Sequence, residues 1–206
     1  MTAGPSAWDE DYRKRGNLWG GAPASLPEIP AGATVLEIGC GNGKTLAALA
    51  RRSSHVTAVE ISREALLLAR RHPATAAAAF VLADARDLPF RDCVFDLVFL
   101  VHVAGHLPAR DRITLASEVC RVLADGGTLI FRAFSIEDMR AGKGVEVEPK
   151  TFRRGSGITT HYFTETEVLE LFSPLTPVLL RTDRWRMRVR GKYLPRAEVE
   201  GVFLKG

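Results

Sequence analysis

The chain has 206 residues, 46% hydrophobic and 8% aromatic, with 28 Lys+Arg against 24 Asp+Glu for a net charge of +4. This apolar fraction excludes a disordered chain, and a single domain is expected at this length. No run of about 18 apolar residues is present, so no membrane span is expected, and the polar start MTAGPSAWDEDYRKRGN does not read as a signal peptide.

Strands and helices alternate along the first two thirds. Thr34–Ile38 is a short apolar run ending in glycines and reads as a buried strand, followed by a helix over 45–52. A second strand, Val56–Glu60, leads to a helix that Ser62 caps, with Leu66, Leu67 and Ala69 inside and arginines outside. Strands over 80–83 and 95–103 come next, then a helix over 110–123 that Asp125-Gly126-Gly127 stops, then a strand over 128–131. Strand–helix alternation at this spacing implies right-handed βαβ units and a parallel sheet, and the nearly all-apolar strands imply cover on both faces. Residues 135–162 are rich in Gly, Arg, Lys and Glu, have no clear periodicity and read as a long functional loop. A short helix follows over 164–172, with Thr164 as N-cap and Glu167 at the capping-box position, and strand-like runs over 177–190 and 198–204 close the chain.

Cys40, Cys93 and Cys120 fit no metal-ligand spacing, so no metal site is expected, and they read as reduced, buried cysteines of a cytoplasmic protein.

The segment that carries chemistry is Val35-Leu36-Glu37-Ile38-Gly39-Cys40-Gly41-Asn42-Gly43-Lys44-Thr45, a strand running through a glycine-rich turn into a helix. Three ligand classes use such a turn. Gly43-Lys44-Thr45 copies the end of a nucleoside-triphosphate loop, but that motif needs four residues between its glycines and here there are three. A dinucleotide fingerprint is G-x-G-x-x-G with an acid about 20 residues on; Glu60 suits the acid, but the third glycine position is Lys44. The third class is S-adenosylmethionine. E-x-G-x-G-x-G after the first strand resembles motif I of the class I methyltransferases, and four more segments agree in order: Glu60, Asp84-Ala85, Phe95–Leu100, and Leu123–Leu129 before strand five.

That resemblance implies a Rossmann-like doubly wound α/β sheet, mostly parallel with an antiparallel last strand. It implies S-adenosylmethionine as cofactor, held by Glu37, Gly39, Cys40, Gly41, Gly43, Glu60, Ile61, Asp84, Ala85, Leu100 and Val101. Within it, Glu60 meets the two ribose hydroxyls and Asp84 the adenine. The "W-x-x-x-Y" entry of small methyltransferases resembles Trp8 to Tyr12, which casts Trp8, Tyr12 and Trp19 as a lid; docking of an amphipathic helix on the core is the alternative. The chain divides into a lid (1–30), a cofactor core (31–134) and a substrate side (135–206).

The 136–165 stretch, with Lys143-Gly144, Phe152–Gly157 and His161–Glu165, is similar to the eukaryotic tRNA 3-methylcytidine methyltransferases. It departs from them at Ser156, where they carry an acid, and at Glu37, where they carry Asp. The resemblance implies a tRNA substrate methylated at cytidine N3; a small-molecule or protein substrate, or a role as an auxiliary partner subunit, are the alternatives. Candidate substrate contacts are Lys150, Arg153 and Arg154, whose cations suit phosphate. Arg184, Arg186, Arg188 and Arg190 alternate along a strand, which puts them on one face. Cytidine N3 has a lone pair and needs no base. A hydroxyl does, and His102 and His106, just past the fourth strand, and His161 are the candidates. Residues 150–206 hold 11 Lys+Arg against 6 Asp+Glu while 1–149 are nearly neutral, so the whole basic surplus lies on the substrate side.

Overall fold

Residues 5–16, 26–53, 55–155 and 157–206 are described in the computed structural model. Helix α1 (Pro5–Arg15) precedes an alternating series: β1 (Val35–Ile38), α2 (Lys44–Leu49), β2 (Val56–Glu60), α3 (Arg63–Arg70), β3 (Ala79–Leu82), β4 (Phe95–Val101), α4 (Ala109–Val122) and β5 (Leu123–Phe134). Then come β6 (Val145–Glu148), β7 (Thr151–Arg153), β8 (Thr159–His161), α5 (Glu165–Leu171), β9 (Thr176–Val189) and β10 (Lys192–Leu204). The main sheet has the order β3-β2-β1-β4-β5-β10-β9. Strands β1 to β5 pair in parallel, and β10 runs antiparallel to both β5 and β9. This is the expected doubly wound sheet. Its order reverses between β1 and β4, and a ligand crevice opens at the carboxyl ends of strands at such a point.

Side chains alternate across the strands and split the core in two. Leu36, Ile38, Val98, Leu100, Leu129 and Phe131 pack with α4 and α5 through Leu115, Val119, Val168 and Phe172. Val35, Leu97, Phe99 and Ile130 face the other way, onto Leu46 and Leu49 of α2 and Leu66 of α3. Most of these side chains are fully buried, and each contributes about 1.5–3 kcal/mol. The caps read from the sequence are present: Ser62 Oγ accepts from Ala65 N at 3.1 Å, and Thr164 and Glu167 form a reciprocal capping box.

Several expectations change. Leu67 of α3, read as inside, is exposed, because the buried stripe of that helix is Ala65, Leu66 and Ala69, and Cys120 is half-buried rather than buried. The 135–162 stretch is not a structureless loop, because β6, β7 and β8 form a small antiparallel sheet of their own. Its short strands defeat a periodicity search, and cross-strand side chains hold it instead. His161 lies opposite Thr151, whose Oγ1 is 2.8 Å from its Nδ1. Cys93 is exposed rather than buried, at a left-handed position (φ 55) with Lys205 Nζ donating to its Sγ at 3.3 Å.

The crossing from β5 to the small sheet is pinned by Asp138, whose side chain is fully buried. It accepts from Arg196 Nε at 2.6 Å, Arg140 Nε at 2.8 Å and Arg140 N at 3.0 Å. Removing one partner of a buried ion pair leaves the other charges uncompensated. Asp138→Ala should therefore lower the unfolding free energy by about 3–5 kcal/mol, measured by urea denaturation. His161 gives a pH signature. Burial and the Arg112 charge bring its pKa down to about 4 from the ordinary 6.5. Between those values the unfolded chain carries a proton the folded chain lacks, so stability falls as pH drops through that window. The urea midpoint of His161→Gln should fall less between pH 7 and pH 4.5 than that of the parent.

Candidate functional site

The turn after β1 is built from three left-handed glycines, Gly39 (φ 73), Gly41 (φ 54) and Gly43 (φ 87). Residues with a Cβ are strained there, and space is short as well. A Cβ on Gly39 would strike Val103 Cγ2, and one on Gly41 would meet the Tyr12 hydroxyl. The turn is tied to β2, since Gly39 N and Cys40 N both donate to Val59 O, at 2.7 and 3.1 Å.

Two buried carboxylates flank it. Glu37 is 3% exposed, and its Oε2 is buried with no hydrogen-bond partner among the described residues. Burial, then the nearby Glu60 charge, push its pKa well above the ordinary value. Glu60, at the end of β2, accepts from Gly41 N through Oε2, and from Ile61 N and Ser62 N through Oε1, each at 2.9 Å. Burial raises its pKa, and these three amides oppose the rise without cancelling it. A carboxylate has about four acceptor sites, and the backbone holds three of them.

Helix α1 closes over this turn. Asp9 Oδ1 accepts from Ser62 Oγ at 2.6 Å and Glu64 N at 3.1 Å, and Arg13 pairs with Glu64 at 3.2 Å. Tyr12 is buried with its hydroxyl against Gly41. Trp8 packs edge-on against His106, ring centroids 4.9 Å apart. Trp19 lies outside the described residues.

On the other side of β2, Asp84 is held by Arg86, which donates to its Oδ1 from the backbone N at 2.9 Å and from Nε at 3.0 Å and also pairs with Asp111. The Arg86 hydrogen bond keeps the Asp84 carboxyl below its ordinary pKa. Asp84, Arg86, Asp87, Arg110, Asp111 and Thr114 line a polar depression of about 450 Å³. Ala85 packs against the core, and Leu100 is wholly buried within it on the α4 side, so its side chain does not line the turn. Val101 is half-buried and pairs with Arg132 of β5.

The three histidines separate. His161 is 3% exposed and bonded to Thr151, a structural residue of the small sheet. His106 lies 2.8 Å from Thr159 O through Nδ1; a carbonyl only accepts, so Nδ1 carries the proton. Burial lowers the His106 pKa, and the ring links the small sheet to Trp8. His102, the residue after β4, has the left-handed φ 59, puts Nε2 3.3 Å from Glu198 of β10, and stacks on Phe134 at 4.3 Å. Sequence reasoning missed Glu198, Phe134 and Arg140. Their one available signal was the acidic pair Glu198 and Glu200 inside an otherwise apolar strand.

Of the expected substrate cations, Arg153 and Arg154 come together, and Lys150 stands apart from them. Lys150 pairs with Glu167 at 2.9 Å. Arg154 donates to Arg140 O at 2.8 Å and, with Arg153, Lys143 and Gly144, lines a separate depression of about 460 Å³. Arg184 pairs with Glu137, and Arg190 lies past the end of β9, so only Arg184, Arg186 and Arg188 share a strand face. Among the described residues no group of His, Cys, Asp and Glu could hold a metal, and no helix is long and apolar enough to cross a membrane.

Comparison with known proteins fits this geometry. The 2-methyl-6-phytyl-1,4-hydroquinone methyltransferase of Synechocystis sp. is 36% identical over 124 residues, 59% of this chain and 37% of that protein. The fatty-acid O-methyltransferase of Mycolicibacterium smegmatis is 39% identical over 102 residues, 48% of this chain and 36% of that protein. The chain thus spans well under half the length of these relatives. An S-adenosylmethionine-dependent methyltransferase from Methanosarcina mazei superposes with TM-score 0.69 at 23% identity, covering 89% of this chain and 100% of that one. Residues 36–131 match the family described as a methyltransferase domain, and the sheet as a whole has the class I methyltransferase fold.

Proposed function

We propose that the chain is an S-adenosylmethionine-dependent methyltransferase acting on a small molecule. The observation that carries this reading is Glu37 Oε2, a buried acceptor without a donor beside a turn of three left-handed glycines. A ligand that lies against bare backbone and carries an ammonium group answers both features. When bound, S-adenosylmethionine supplies a methyl group on a sulfonium centre, and the protein's part is to hold and orient it. Gly39, Cys40, Gly41 and Gly43 provide the bare surface. Glu37 faces the cationic end. Glu60 exchanges backbone amides for ribose hydroxyls, aided by Ile61, and Asp84 with Ala85 borders the adenine. Helix α1 is the cover, with Tyr12 over Gly41 and Trp8 against His106.

The small-molecule reading is supported by relatives named for a quinone and a fatty acid. A second reading, methylation of tRNA at cytidine N3, is favoured by the exposed Arg186 and Arg188 on β9, the latter opposite the exposed Tyr193. Lys150 and Arg154, engaged with Glu167 and Arg140, weaken it.

Calorimetry with S-adenosylmethionine should show one saturable site, and Glu60→Ala should weaken it at least about tenfold, the worth of a charged hydrogen bond. No heat from a folded sample would favour a partner subunit without catalysis. The sign of the pH effect follows from Glu37. Burial and the Glu60 charge push its pKa up in the free chain, and a cation beside it pulls that pKa down by favouring the carboxylate. Binding should therefore release protons and tighten as pH rises, and Glu37→Gln should lose that dependence. Trypsin should cut α1 near Arg13 more slowly when the cofactor is present, and equal rates would remove the lid. Tritiated methyl transfer should label a small-metabolite pool; label confined to tRNA would select the second reading.

A further inference from the structure

Two more buried polar atoms lack partners among the described residues, and both lie at the substrate end: His102 Nδ1 and Arg140 Nη2. Their side chains sandwich one ring between them, on opposite faces. His102 stacks on Phe134 with centroids 4.3 Å apart, and the Arg140 guanidinium lies 3.7 Å from the same ring centroid. His102 Nε2 is 3.3 Å from Glu198 Oε1. A carboxylate only accepts, so Nε2 holds the proton of the neutral ring and Nδ1 presents a bare lone pair.

The sheet fixes this pair. His102 follows Val101, which pairs with Arg132 of β5, and Glu198 is the partner of Phe134 on β10. The imidazole therefore reaches across β5 to its carboxylate. The His102 backbone N–H donates to Arg132 O at 2.8 Å and helps hold the residue at the uncommon left-handed φ of 59. The next residue, Val103, packs against Gly39 of the glycine turn. A proton acceptor oriented by a carboxylate thus stands one residue from the turn that holds the cofactor.

We infer that His102 is the general base of the reaction, positioned by Glu198, and that the methyl acceptor is a hydroxyl on a small molecule. The inference rests on the methyltransferase reading above and adds the acceptor atom to it. Nitrogen acceptors with a free lone pair need no base, whereas a hydroxyl does. The hydroxyl oxygen bonds to the methyl carbon as the carbon–sulfur bond breaks, the electron pair of that bond stays on sulfur, and the hydroxyl proton passes to His102 Nδ1 and then to solvent. Glu198 stabilises the imidazolium. Burial raises its own pKa, but the bond to His102 and the charges of Arg196 and Arg132 leave it below the ordinary value, so it stays ionised. The other charged groups around the ring are His106 and Arg140, and Trp8 of α1, resting on His106, puts the access under the same cover as the cofactor turn.

Long-range proton–nitrogen NMR of the full chain, with the His102 signals assigned by their loss in His102→Gln, should show Nε2 protonated and Nδ1 bare near pH 7.5. A proton on Nδ1 overturns the assignment whether or not a substrate is in hand. In tritiated methyl transfer to a small-metabolite pool, the label should sit on oxygen. His102→Gln should lower kcat about 100-fold or more, leave S-adenosylmethionine affinity by calorimetry within threefold, and abolish the unit rise of log kcat/KM with pH. Glu198→Gln should move that rise to lower pH, which a merely structural role would not do. Label on nitrogen, or an unchanged kcat and pH profile in His102→Gln, contradicts the inference and leaves the methyltransferase reading standing. Absence of cofactor binding removes that reading instead.

Discussion

Two carboxylates buried against a turn that only glycines make comfortably set the terms for this molecule. Glu37 and Glu60 lie on neighbouring strands, and the Glu60 charge adds to burial in raising the cost of ionising Glu37. Glu60 is stabilised by three backbone amides, one of them from the glycine turn itself, whereas Glu37 keeps one oxygen without a donor. A buried, unmatched acceptor costs about 1–3 kcal/mol. In the function proposed above, a cationic ligand at the carboxyl end of the central parallel strands offsets that cost. The β1–β2 pairing, the ties from Gly39 and Cys40 to Val59, and the α1 cover all preserve that arrangement.

Past β4 and β5 the side chains are organised around an aromatic ring. Phe134 ends β5 and carries His102 and Arg140, with the Arg196 guanidinium 5.4 Å from its centroid. Asp138 compensates both arginines and ties the crossing segment to β10. The small sheet β6–β8 then meets the core through His106 and Thr159. Much of the basic surplus of the last third is paired within the chain. Arg140, Arg154, Arg181, Arg184 and Arg196 all have partners in the protein, and Arg153, Arg186, Arg188, Arg190 and Lys192 are exposed.

The core was legible because its signals are local. Ser62 and Thr164 cap their helices as their spacing implies, the apolar runs from 34 to 131 become the parallel strands, and Glu60 ends β2 where it was read. What escaped was non-local. Strands of three or four residues leave no period to detect, so β6 to β8 read as loop. Glu198 lies 96 positions from His102, and only the β4–β5–β10 register brings them together. Lys150 and Arg154 read as substrate cations because their partners, Glu167 and the Arg140 carbonyl, are likewise set by tertiary packing.

The most direct test is a crystal structure of the full chain with S-adenosylhomocysteine, which keeps the ammonium and ribose of the cofactor. The ligand should lie along Gly39–Gly43, with its ribose hydroxyls on Glu60 in place of at least one backbone amide, and with the Glu37 Oε2 side of the turn facing its ammonium. A ligand bound elsewhere, or Glu60 still holding Gly41, Ile61 and Ser62 with Glu37 facing no cation, would contradict the account.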